Sequence, residues 1–253
     1  MKMQWSRITN RINHIFGGDV VHVRNIQLPA KHVRLCGSEF EDDEHFIDTA
    51  ISEAERLTEN FDFNLGSRIL DVGCGPGRLA IGILYHVGEV EHYQGIDIVR
   101  KRIQWCQRYI GGRHSNFHFT HMDTHNSRYN PGGQVMGADF RFPLSDEKFD
   151  IIYLYSVFSH MISDEVQLYL REFQRLLTLS GKIFLTAFVE NSVPDVRVNP
   201  DDYMRTWKGP LHCVRYETDF FAAMLGEHGF QIDYMKRDLL ADGQNCLYIS
   251  RSS

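Results

Sequence analysis

Apolar positions recur along this chain in two periods. Trp5, Ile8, Ile12, Ile15 and Phe16 follow helical spacing with Lys2, Arg7 and Arg11 off that face, which predicts an amphipathic helix over residues 3–16. Residues 17–41 carry no regular pattern. Ile47, Ala50, Ile51, Ala54 and Leu57 then predict a second helix running to about Asn60. From Arg68 the pattern changes to short apolar runs that alternate with helical stretches. Residues 68–72, 92–97, 116–120, 149–155 and 182–188 read as strands, the fourth continuous enough to be buried on both faces. Between them lie a mostly apolar helix over 77–86 and a helix carrying Val99, Ile103, Cys106 and Ile110, with Arg100, Lys101, Arg102 and Arg108 turned to water. A third helix starts at Asp164, where Gln167 completes a capping pair, and continues through Val166, Leu170, Phe173 and Leu177.

Strand and helix alternating in this way predict an α/β fold, a doubly wound, mostly parallel sheet covered on both faces. The end of the chain departs from that rhythm. Phe220, Phe221, Met224 and Leu225 mark a helix closed by Gly229, and strands over 230–235 and 245–250 are joined by residues 239–243, too short a link for a crossover helix. They predict an antiparallel hairpin on the sheet's edge.

Composition narrows the classes. Lys+Arg 27 against Asp+Glu 33 gives a net charge of −6, which excludes a polybasic nucleic-acid binder on bulk charge while leaving room for a local basic patch. With 43% hydrophobic and 24% charged residues the chain can bury a full core. At 253 residues the expectation is one large domain, residues 43–253, with an N-terminal helix and lid segment over 1–42. Cys36, Cys74, Cys106, Cys213 and Cys246 are odd in number, widely spaced and without a Cys-x-x-Cys pair, so free thiols in a reducing cytoplasm are expected. No apolar run reaches the roughly 18 residues of a membrane span, and the first residues lack the apolar core of a secretory signal, so a soluble, intracellular protein is expected.

Ile69-Leu70-Asp71-Val72-Gly73-Cys74-Gly75-Pro76-Gly77-Arg78 carries the most chemistry, because a strand runs straight into a glycine turn and then a helix. The dinucleotide fingerprint G-x-G-x-x-G would need its third glycine at Arg78; here it falls at Gly77, which speaks against a nicotinamide oxidoreductase. Asp97 ends the next strand, where a carboxylate can accept both ribose hydroxyls. The expected ligand is an adenosine with a cationic group in place of a pyrophosphate, which matches S-adenosylmethionine.

These residues resemble the first motif of the class I S-adenosylmethionine-dependent methyltransferases, and the resemblance extends over about residues 43–251. It implies a Rossmann-like, seven-stranded sheet with the last strand inserted antiparallel. It also implies that Gly73, Gly75 and Gly77 line the methionine end of the cofactor, that Asp71 holds its ammonium side through water or backbone, and that Asp97 takes the ribose. Ile98 would cover one adenine face and Asp123 take the adenine amino group beside Met122. Plainer readings stand next to these: Asp97 as a helix cap, Asp123 as a turn residue, Met122 as packing.

The loop Ser156-Val157-Phe158-Ser159-His160-Met161 follows the fourth strand and faces the reacting methyl, with Ser156 counted among the cofactor contacts. It lacks the Asn/Asp-Pro-Pro-aromatic signature of amino-nitrogen methyltransferases and has no carboxylate before Asp164, so no metal is assigned. His160 is the candidate general base, with a core histidine as the rival reading. His118, His121 and His125 invite a metal site, but His118 and His121 point to opposite faces of one strand.

Insertions over about 124–146 and 189–218, the second with Tyr203, Trp207, His212 and Tyr216, are expected to form the acceptor pocket. Trp105-Cys106, Asn116-Phe117, Tyr129-Asn130-Pro131, Phe142-Pro143 and the 156–161 loop are together similar to bacterial methyltransferases of saccharide and secondary-metabolite hydroxyls.

The expectation is a cytoplasmic O-methyltransferase of a small-molecule hydroxyl, of a sugar or glycoside. Another secondary metabolite as acceptor, or a non-catalytic S-adenosylmethionine-binding protein, are the alternatives. Nucleic acid and a membrane span are not expected as partners. The N-terminal helix is expected to cover the cofactor mouth or to pair with a second subunit as a homo-oligomer, and Arg34 and Gly37 to reach the cofactor's carboxylate in a closed form.

Overall fold

The computed structural model describes residues 20–34, 38–146, 148–204, 206, 208–237 and 243–252. The helix expected over 3–16, with Cys36, Gly37 and Trp207, lies outside the described residues.

The stretch without a pattern holds a hairpin, β1 (Val20–Val23) antiparallel to β2 (Ile26–Pro29). Its turn residues Arg24 and Asn25 both have positive φ, 49° and 65°, the twist that a two-residue hairpin loop requires. Helix α1 (Asp43–Asn60) begins where Asp42 accepts a hydrogen bond from the His45 N–H at 2.8 Å. There follow β3 (Arg68–Val72), α2 (Arg78–His86), β4 (His92–Asp97), α3 (Arg100–Cys106), which runs on into a π-helical turn at Gln107–Gly111, and β5 (Phe117–His121). β6 (Phe149–Leu154), α4 (Ser163–Leu176), β7 (Leu177–Glu190), β8 (Val196–Val198), β9 (Val214–Glu217), α5 (Thr218–Glu227), β10 (Phe230–Lys236) and β11 (Asn245–Arg251) complete the order.

The main sheet runs β10-β11-β7-β6-β3-β4-β5. Its members β3 to β7 are parallel, and β11 lies antiparallel between β7 and β10, the expected inserted strand. β9 adds to the end of β7 and carries β8, inside the second insertion.

Among the boundaries that differ from the sequence pattern, three have a physical reason. α4 starts at Ser163, not Asp164, because Glu165 reaches back to the Ile162 N–H at 3.3 Å. β7 begins at Leu177 rather than Lys182, since Leu177 pairs with Phe149 before the register shifts. The fourth strand stops at Leu154, and Ser156 turns the chain with φ of 57°.

Strand alternation splits the core into two layers. Leu70, Ile152 and Leu154 pack toward α4 and α5, while Ile69, Ile151 and Tyr153 pack toward α1, α2 and α3. Successive strands leave β3 in opposite directions, β4 on one side and β6 on the other. The loops after β3 and β6 therefore part at a topological switch point, where open α/β sheets bind ligands. Among the described residues no helix is long and apolar enough to cross a membrane.

Candidate active site

The loop after β3 is drawn tight by its own backbone. Gly73, Gly75 and Gly77 take φ of 74°, 55° and 79°, conformations that side chains beyond glycine rarely adopt. The N–H groups of Gly73 and Cys74 both donate to the Ile96 carbonyl, that of Gly77 to the Cys74 carbonyl, and that of Gly75 to Asp97 Oδ2 at 2.8 Å. A pyrophosphate would need such donors turned outward. Here these donors are consumed, so the loop does not suit a pyrophosphate. A Cβ at Gly73 would lie 2.5 Å from Val157 Cγ2, so glycine lets the two switch-point loops meet. Gly77 faces away, and its absent Cβ makes room for Ile110 and Cys106 instead of lining the cavity.

Asp97 is buried at the end of β4. Its Oδ1 accepts from the Val99 N–H at 2.7 Å, so the capping role and a place on the cavity wall belong to the same carboxylate. Each oxygen retains a lone pair for a further donor. Asp71 is bonded by the Tyr93 hydroxyl, and burial pushes its carboxyl up to about 7 against the nearby Arg78 charge.

These groups open into a cavity of about 1180 Å³, above the range of a single drug-sized ligand, with room for a cofactor and an acceptor together. Asp71, Gly73, Gly75, Asp97, Ile98, Met122, Ser156 and His160 line it. Besides Gly77, two expected residues do not. Arg34 is buried elsewhere, donating to the Pro29 carbonyl at 2.7 Å and the Phe40 carbonyl at 3.3 Å, paired with Asp43 at 2.7 Å and lying over the Phe46 ring. Asp123 is exposed and accepts from Asn130 Nδ2 at 3.1 Å.

Arg78 was missed as a site residue. It lines the cavity over the Tyr155 ring at 4.5 Å, with Glu53 3.6 Å away. A cation opening a helix works against the helix dipole, and that was its signal.

The loop after β6 holds the chemistry. Ser156 Oγ receives a hydrogen bond from Gln244 Nε2 at 3.0 Å and lies 3.5 Å from His160 Nε2. His160 Nδ1 is 2.8 Å from the Leu211 carbonyl in the second insertion. A carbonyl only accepts, so Nδ1 carries a proton, and in the neutral tautomer this leaves Nε2, 3.5 Å from Ser156 Oγ, as the acceptor. Tyr129 of the first insertion meets the His160 ring edge to face at 5.4 Å. Among the described residues no group of three or more histidines, cysteines or carboxylates could hold a metal; His121 Nε2 lies 3.2 Å from the Ile98 carbonyl and His125 Nδ1 3.0 Å from that of Pro131.

Residues 69–181 match the family model described as Methyltransferase domain. Solved structures agree in fold. Magnesium protoporphyrin IX methyltransferase from Synechocystis PCC 6803, with bound S-adenosylmethionine, superposes with a TM-score of 0.55 at 18% identity, covering 88% of this chain and 90% of that one. The O-methyltransferase from a trans-AT PKS multienzyme of Brevibacillus brevis, in complex with S-adenosyl-L-homocysteine, gives 0.55 at 14% identity, covering 80% and 72%. The mitomycin 7-O-methyltransferase gives 0.53 at 13% identity; the match covers 83% of this chain but only 57% of that enzyme's length. The fold is Rossmann-like, shared with methyltransferases solved with S-adenosylmethionine or S-adenosyl-L-homocysteine bound. The inward glycine loop, the buried Asp97 and the cavity volume fit that cofactor.

Proposed function

We propose that the protein is an S-adenosylmethionine-dependent O-methyltransferase of a small-molecule hydroxyl, that of a sugar or glycoside, with His160 as general base. The observation that carries this reading is the 2.8 Å contact from His160 Nδ1 to the Leu211 carbonyl, which leaves Nε2 as the acceptor inside the cavity. Bound S-adenosylmethionine supplies an electrophilic methyl group. The chain's part is to align the hydroxyl oxygen, exclude water and take the hydroxyl proton at Nε2. Phe188 and Tyr203 bring aromatic rings to the cavity wall and His212 a polar group, a combination suited to a sugar ring. Residues 1–42 are proposed as the lid, and deleting residues 1–18 is expected to weaken cofactor or acceptor binding. A cytoplasmic location goes with this reading, supported by the free cysteines Cys74, Cys106, Cys213 and Cys246.

An acceptor screen read by S-adenosylhomocysteine release tests the function. His160→Ala is expected to cut turnover on the order of 10²–10⁴-fold at nearly unchanged cofactor affinity. His160→Gln keeps hydrogen-bonding capacity but cannot take up the proton, so its turnover should lack the rise with pH expected of the wild type. Near-wild-type turnover and pH profile in the Gln variant would reduce His160 to positioning. Cofactor binding without release from any acceptor would leave a non-catalytic binding protein.

A further inference from the structure

The two insertions meet over the cavity where the Arg128 side chain reaches the Lys208 backbone. Arg128, from the first, donates from Nη1 to the Lys208 carbonyl in the second. Its guanidinium lies over the Tyr129 ring at 5.3 Å, and its Nε is buried without a hydrogen bond. Lys208 lines the same cavity and is exposed at its mouth. Neither side chain makes an ion pair among the described residues, although the whole chain carries a net charge of −6. Of the carboxylates on the cavity wall, Asp97 is held by Gly75 and Val99, Asp71 by Tyr93 and Glu165 by Ile162, which leaves Glu39. Two unneutralised cations in a concave wall focus positive potential there, and a guanidinium donates in a fork that matches carboxylate or phosphate oxygens.

Their place relative to the base is defined. Arg128 and His160 flank the same Tyr129 ring, at 5.3 and 5.4 Å from its centroid. Lys208 and Leu211 lie on one short loop, the first bonded to Arg128 and the second to His160. Building on the methyltransferase reading above, we propose that the acceptor is an anion, its hydroxyl at His160 Nε2 and a carboxylate or phosphate group held between Arg128 and Lys208. A neutral glycoside would leave both charges without a counter-ion among the described residues.

Calorimetry on the full chain tests this, with glucose 6-phosphate, glucuronate and glucose titrated into protein saturated with S-adenosylhomocysteine and, separately, into protein without it. At least one anion is expected to bind about 10-fold or more tightly than glucose, the scale of a charge-assisted hydrogen bond. The Arg128→Gln/Lys208→Gln double variant should lose that preference and keep its affinity for S-adenosylhomocysteine within about twofold. Preference for glucose 6-phosphate alone identifies a phosphate, and for glucuronate alone a carboxylate. Equal binding of the three compounds, no binding of either anion, or a preference that survives the double substitution overturns the proposal. Failure of S-adenosylhomocysteine to bind refutes the cofactor reading instead, while the titrations without it still decide the anion site.

Discussion

Asp97 does two things with one carboxylate. It ties Gly75 to the end of β4 and starts the next helix at Val99, and its remaining lone pairs face the cavity. Asp97→Ala should therefore weaken S-adenosylmethionine binding by about 1.5–3 kcal/mol by calorimetry; equal affinity would remove it from the site. Asp71 makes a pH-dependent contribution. Burial raises it to about 7 in the folded chain, so between its ordinary value of 3.8 and about 7 the native state binds more protons than the unfolded one. Its contribution to stability must then fall as pH rises through that window and level off above it, by on the order of 4 kcal/mol in all. Denaturation of Asp71→Asn at pH 4 to 8 should show a flatter pH dependence than wild type. A cationic ligand favours the ionised form, so cofactor binding near pH 6 should release protons, measurable as a buffer-dependent heat. Both aspartates were legible because strand ends before a glycine loop fix where a side chain goes. Arg34 was not: it sits in a segment without periodicity, and nothing in the sequence announces that Pro29, Phe40, Asp43 and Phe46 enclose it.

Helix α2 leaves the glycine loop and is held against α1 by a bare backbone contact. A Cβ at Gly82 would lie 1.9 Å from the Ala50 carbonyl oxygen, so the helices touch where glycine permits it. Alanine at a free helix position would stabilise by up to about 1 kcal/mol. Gly82→Ala should instead destabilise by about 2–4 kcal/mol in urea unfolding, because α1 must shift as a unit. The sign alone decides whether the contact is real. Elements of this kind, long and apolar on one side, were readable in the sequence, as were the buried strands β3, β4 and β6. The hairpin β1–β2 and the pair β8–β9 were not, because three or four residues give too few repeats of a two-residue period and their partly exposed sides mix Val, His and Arg. Register shifts are equally silent: β7 gains its first residues only through pairing with β6.

At the scale of the molecule, β11 sits inside the sheet with Cys246, Leu247, Tyr248 and Ile249 buried, hydrogen-bonded to β7 on one side and β10 on the other. α1 depends on it too: Arg56 Nη1 reaches Cys246 Sγ at 3.0 Å, and Phe61 just beyond the helix stacks on Tyr248 at 5.5 Å. A chain cut before residue 245 should expose both flanking edges and pass into the insoluble fraction, as a fractionated expression trial would show. The same placement governs how the protein is made. On the ribosome, residues 43–190 emerge with α1 and the five parallel strands complete, yet the outer edge of β7 stays open until the segment near residue 250 clears the exit tunnel. Until then the nascent chain carries an unpaired apolar strand, and that interval is when a holding chaperone would find it.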